Sequence, residues 1–111
     1  MVESILTSIK VLLGITEDCI DFDPVLIIHI NSVFMILNQM GVGPSDGYKI
    51  DDKNNSWDEY VDPNDDLESV KTYVYLKVKM LFDPPLSSSV MSAINQQISE
   101  LEWRLNVGSN Q

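Results

Sequence analysis

The stretch from Pro24 to Met40 constrains this chain more than any other. Val25, Leu26, Ile27, Ile28, Ile30, Val33, Phe34, Met35, Ile36, Leu37 and Met40 would cover nearly the whole circumference of one helix. Asp23-Pro24 is a start signal, because an aspartate accepts from orphan amide groups and a proline has no N–H to waste in the first turn. Gly41 and then Gly43-Pro44 mark the stop. His29, Asn31, Ser32, Asn38 and Gln39 break the apolar run, which falls short of the ~20 residues that a membrane span requires. The first ten residues carry no basic leader and space their apolar positions, unlike a signal peptide. The expectation is a soluble protein. A helix that is apolar all round needs company on every side, either as the centre of a bundle or through another subunit.

With 111 residues, one core is available to supply that company. A chain of this size buries roughly two-thirds of its unfolded surface, and 44% hydrophobic residues argue against disorder of the whole. The single cysteine, Cys19, cannot form an internal disulfide and suggests a reducing compartment. Net charge is −10. Proteins that neutralise phosphate need the opposite sign, so sequence-independent binding of DNA or RNA is disfavoured. The charge is also local: Asp46, Asp51, Asp52, Asp58, Glu59, Asp62, Asp65, Asp66 and Glu68 face only Lys49 and Lys53 in the same segment.

Periodicity predicts four helices, at about 2–13, 24–40, 66–82 and 88–106, making an all-α domain over 1–111 with 107–111 as a disordered tail. The first carries Ile5, Ile9, Leu12 and Leu13 on one stripe, with Gly14 placed for a left-handed cap. Asp65 or Asp66 would cap the third, which carries Leu67, Val70, Val74, Val78 and Leu81 and stops at Asp83-Pro84-Pro85. Ser87 or Ser88 would open the fourth, where Met91, Ile94, Ile98, Leu101 and Leu105 form a narrow seam. Glu100 and Arg104 are spaced for a surface ion pair. Between the second and third helices lies a long irregular acidic loop, about 42–65, in which Trp57, Tyr60 and Val61 are expected to pin the middle to the body, as a short turn of helix or strand.

Candidate chemistry is sparse. Asp62 to Asp66 begins like a calcium loop, but Leu67 and Tyr73 stand where glycine and glutamate belong. His29 has no second histidine to act with and reads as a core or interface residue. Cys19 follows Glu17 and Asp18, which would raise a thiol pKa, so a small structural role fits better than a nucleophile. Carboxylate pairs on a polar loop lack the rigid, partly buried setting of catalytic pairs. No catalytic residue, metal site or cofactor is expected. Trp103 lies off the fourth helix's seam and could be an exposed anchor.

Three segments carry a family resemblance: residues 29–44 (His29 to Gly43-Pro44), residues 66–85 ending in Phe82-Asp-Pro-Pro85, and residues 98–106. With the first-helix pattern ending in Leu13-Gly14, they resemble the head–tail connector proteins of tailed phages and of prophages in Gram-positive bacteria. The resemblance implies a non-enzymatic structural adaptor of the virion's head–tail interface, assembled in the host cytoplasm. It implies copies that are often monomeric in isolation and assemble as a ring of about twelve beneath the portal protein. Such a ring extends the DNA channel without binding DNA specifically, and docks the next tail-side joining or stopper protein. Candidate interface positions are Ile28, Met35, Tyr73, Tyr75, Trp103 and Arg104. Candidate acids for the channel or rim are Asp51, Asp52, Asp58, Glu59, Asp62 and Asp65. The rival reading is an acidic DNA mimic or inhibitor of a nucleic-acid-processing protein, although a mimic should spread its carboxylates over a whole face rather than one loop.

Overall fold

The computed structural model describes residues 3–44, 46–60 and 67–109. Its described elements are α1 (Ile5–Leu13), α2 (Asp23–Gln39), α3 (Trp57–Tyr60), α4 (Leu67–Phe82) and α5 (Ser88–Ser109), so the architecture is all-α. There is one helix more than periodicity predicts. The addition is the single turn α3, at the residues where a short turn of helix or strand was one expectation within the otherwise irregular segment.

α1 starts later than its apolar spacing suggests. Ser4 caps it, its hydroxyl accepting from the Thr7 N–H at 3.2 Å. The backbone before that cap pairs with the loop instead: the Ile5 N–H donates to the Asn55 carbonyl at 3.0 Å and the Trp57 N–H to the Glu3 carbonyl at 3.1 Å. This is an isolated antiparallel bridge between Ser4 and Ser56. Gly14 ends α1 with φ 83°, as its position foretold. The buried face is Ile5, Leu6 and Ile9, while Leu12 is exposed. The buried face thus keeps Ile5 and Ile9 of the expected stripe and exchanges Leu12 for Leu6.

Asp23 is not the cap of α2. Phe22 takes that position with no side-chain hydrogen bond, and Pro24 sits in the first turn. The Asp23 carboxylate is drawn to Lys10, whose Nζ lies 3.0 Å from Oδ1 and is nearly buried. The ammonium donates to the Glu17 carbonyl at 3.0 Å, and Asp23 Oδ1 is held by charge without a directed hydrogen bond. This ion pair fixes the turn between α1 and α2.

α4 is the helix that the others share: α1, α2 and α5 all pack on it. Flanked by α2 and α5, it buries Val70, Val74 and Val78 as expected, and also Tyr73 and Leu76, which lie off the expected stripe. Leu81, expected on the stripe, is exposed at the end of the helix. Ser87 opens α5, its carbonyl accepting from the Met91 N–H at 3.0 Å. Ile98, Leu101 and Leu105 of the predicted seam are buried, with Met91 and Ile94 half-buried. α5 runs on to Ser109, past the expected end at 106. The Glu100–Arg104 pair does not appear among the ion pairs of the described residues. Asp65 and Asp66, proposed as caps of α4, lie outside the described residues, as does Val61.

The loop between α2 and α4 is held at several points. The side-chain amide of Asn31 grips Ile50 twice, donating to its carbonyl at 3.0 Å and accepting from its N–H at 2.7 Å. The indole of Trp57 donates to Ser8 Oγ at 2.9 Å, and Ser8 Oγ donates to the Ile5 carbonyl at 2.9 Å. Ile50, Trp57 and Tyr60 are buried. Gly43, at φ 88°, lies so close under Tyr60 that a Cβ would stand 2.6 Å from the ring. That accounts for the glycine before Pro44 by contact as well as by backbone conformation.

Replacing Asn31 by Ala strips both partners from the Ile50 backbone, and is expected to destabilise the fold by about 1–3 kcal/mol in urea unfolding. Ser32→Ala, on the exposed side of the same helix, is the control and should leave the midpoint nearly unchanged. Equal midpoints for the two variants would show that the loop is not held through Asn31.

Candidate interaction surfaces

The candidate interface residues do not share one environment. Ile28 and Met35 both point outward from α2 and are 64% exposed. Because α4 and α1 cover only one side of α2, the face through Val25, Ile28, Ser32, Met35 and Gln39 stays open. Trp103 is 68% exposed on α5, where it lines a shallow hollow with Gln96, Ser99, Glu100 and Arg104. Tyr75 is half-buried against the core.

Tyr73 is a correction. It is fully buried, because α5 covers the side of α4 that its position alone left open. Its hydroxyl donates to Glu102 Oε2 at 2.8 Å. Burial, followed by the neighbouring carboxylate, pushes the phenol's pKa far above its ordinary value. Tyr73 is thus an internal strut between α4 and α5 rather than a surface contact.

Asp51, Asp52, Asp58 and Glu59 are all exposed, whereas Asp62 and Asp65, with the calcium-like stretch 62–66, lie outside the described residues. The visible part of the loop is organised by its own polar groups. Asn55 Oδ1 accepts from the N–H groups of Asp51 at 2.7 Å and Asp52 at 3.3 Å, and Asp52 Oδ1 accepts from the Asn54 N–H at 2.8 Å. Glu59 Oε1 accepts from Asn55 Nδ2 at 3.1 Å and from the Tyr48 hydroxyl at 2.8 Å. Both bonds favour the ionised form and hold Glu59 below the ordinary glutamate range. Tyr48 moves the other way, raised by burial and then by Glu59. Among the described residues, no group of three or more His, Cys, Asp or Glu is placed to hold a metal ion. His29 and Cys19 are both half-buried, and Cys19 is a free thiol.

Periodicity did not mark several exposed apolar residues. Val11 and Leu12 line a groove with Glu3, Ser4, Thr7, Ser8 and Lys71; Ile20 and Phe22 precede α2, and Leu86 and Val90 flank the start of α5. Phe22 packs edge-on against Phe82 at 5.3 Å, tying the start of α2 to the end of α4. The double proline, which forbids helix at Pro84-Pro85, was the one signal that Leu86 would stand clear of the body.

A small all-α protein with open apolar helix faces and an ordered acidic loop offers surfaces for assembly. A model of the phage connector protein family matches residues 5–111, and the chain belongs to that family. It is one of structural proteins, whose members are virion components associated with the portal and tail. No curated protein and no solved structure matches the chain. Among the described residues, no helix is long and apolar enough to cross a membrane.

The loop network makes a titration prediction. Asn55→Ala should raise the Glu59 pKa toward the ordinary glutamate value, and Tyr48→Phe should do so by less, read by NMR of the side-chain carboxyl. Because the folded pKa is the lower one, whatever stability Glu59 contributes is present above the unfolded value and fades as pH falls through the folded value. An unchanged Glu59 titration in both variants would remove the network as the cause.

Proposed function

We propose that this chain is a head–tail adaptor that assembles as a ring of about twelve copies under the portal, extending the DNA channel and docking the next tail-side joining or stopper protein. The whole of 1–111 acts as one domain in this reading, at the head–tail interface of a virion assembled in the host cytoplasm. The observation that carries it is the family match over 5–111 on a fold whose most apolar helix leaves Ile28 and Met35 in water. Asp51, Asp52, Asp58 and Glu59, with Asp62 and Asp65, line the channel or its rim, where like charge keeps passing DNA from adhering. The exposure of Asp51, Asp52, Asp58 and Glu59 supports this, since repulsion of DNA needs carboxylates that face solvent. The charge distribution disfavours a DNA mimic, because no acid follows Asp23 along α2 and none lies in residues 84–99, so carboxylates are not spread along those helix faces.

Negative-stain imaging of the protein mixed with its cognate portal should show an added ring. Phage lacking the protein should accumulate filled heads that leak DNA and carry no tails. Intact tailed particles in its absence would end the assignment.

A further inference from the structure

Two stretches of this strongly acidic chain contain no Asp, Glu, Lys or Arg: residues 24–45 and residues 84–99. The first is most of α2 with its following turn. The second is the double proline and the first half of α5. Both helices pack on α4, and each turns an open face to solvent. On α2 that face holds Val25, Ile28 and Met35, spaced with Ser32 and Gln39 at the 3, 4, 3, 4 rhythm of a helix-packing seam. On the other side, Leu86 is wholly exposed, Val90 is exposed, and Ala93 follows on the same outward face. Glu17, Asp18 and Asp21 stand in the turn before α2 and Asp46, Asp51, Asp52, Asp58 and Glu59 in the loop, all exposed, while Asp83 and Glu100 border the second stretch at its two ends.

We propose that the uncharged outer face of α2 in one copy packs against the uncharged first half of α5 in the next. The argument is electrostatic before it is hydrophobic. Copies with net charge −10 repel one another, and at physiological salt that repulsion reaches about 8 Å. A contact that brings the turn or the loop against its counterpart would confine carboxylates together in a medium poorer in water. The α2 face and the opening of α5 are two described surfaces on which apolar area can leave water without that cost, whereas the apolar groove at Val11 and Leu12 has the charged Glu3 and Lys71 in its lining.

Two different patches on one copy also define the kind of contact. It is heterologous, so each copy uses α2 toward one neighbour and α5 toward the other, and the arrangement closes into a ring when the rotation permits. A contact of α2 with its own counterpart would leave Leu86 and Val90 in water. The ring setting rests on the adaptor reading, whereas the contact is a property of the chain itself.

Sedimentation velocity of the full chain over a concentration series, at low and high salt, reads self-association directly; ring addition to the portal is the second readout. The native chain should associate more strongly as salt screens its charge. Ile28→Asp and Val90→Asp should each weaken association by about tenfold or more, since each buries an unpaired carboxylate. Val11→Asp on α1, as exposed in the native chain (63%) as Ile28 (64%), should leave it within about twofold, as a change outside the contact does. Urea unfolding of each variant confirms that the fold is retained.

In a Cys19→Ser background, mixed Ile28→Cys and Val90→Cys chains should form disulfides with each other in preference to themselves. The inference is overturned if either face variant associates like the native chain, if Val11→Asp weakens association equally, or if like-with-like disulfides dominate. It is also overturned if the native chain stays monomeric both in solution and on the portal. Native self-association through these faces with no ring on the portal would leave the contact standing and remove the adaptor reading. Rings formed by both aspartate variants would do the reverse.

Discussion

Phe34 is the contact on which the placement of the acidic loop depends. It projects from the most apolar helix and meets three rings of the following segment: Tyr48 edge-on at 5.3 Å, Trp57 edge-on at 6.3 Å and Tyr60 at 4.6 Å. Each pair of this kind adds about 0.5–1.5 kcal/mol beyond its area burial. The larger effect is positional. With its aromatic residues held on α2, and Trp57 also bonded to Ser8 of α1, the segment from Tyr48 to Tyr60 becomes a layer of the fold. Its carboxylates then point outward because its apolar side chains are already committed inward.

Much of this was legible in the residues, and the failures share a cause. Gly14, the stop at Gly41 and the α5 seam were readable because each depends on local backbone or on a single packed face. So was the pinning of the loop through Trp57 and Tyr60. Asp23 was misread because a capping aspartate and an ion-paired one look alike until Lys10 arrives from another helix. Tyr73 was misread because α4 is covered on two sides, and a stripe argument assumes one. The turn α3 is too short to show a period. For the surface, the charges could be read directly, and Ile28 and Met35, both exposed, were among the interface candidates, although apolar spacing alone did not separate them from buried neighbours. A helix apolar all round has no period from which to choose its outer face.

Lys10 and Asp23 join the turn before α2 to the body as Phe34 joins the loop that follows it. A nearly buried ammonium facing a partly exposed carboxylate is not a strong net stabiliser, but removing one partner leaves the other stranded. The value of such a pair is geometric. It fixes where α2 begins relative to α1, and so which side of α2 faces outward. The neutral face of α2 is set by constraints at both of its ends.

The grip of Asn31 on Ile50 has a consequence of another kind. An exposed backbone stretch beside a hydrophobic surface can be stabilised by a neighbouring strand, but every added strand presents a new unpaired edge to the next chain. A side-chain amide supplies the same donor and acceptor and then ends. The pairing cannot propagate, because nothing lies beyond the asparagine to extend it. The loop is held as a sheet edge would hold it, and no new edge is left for another chain to pair with.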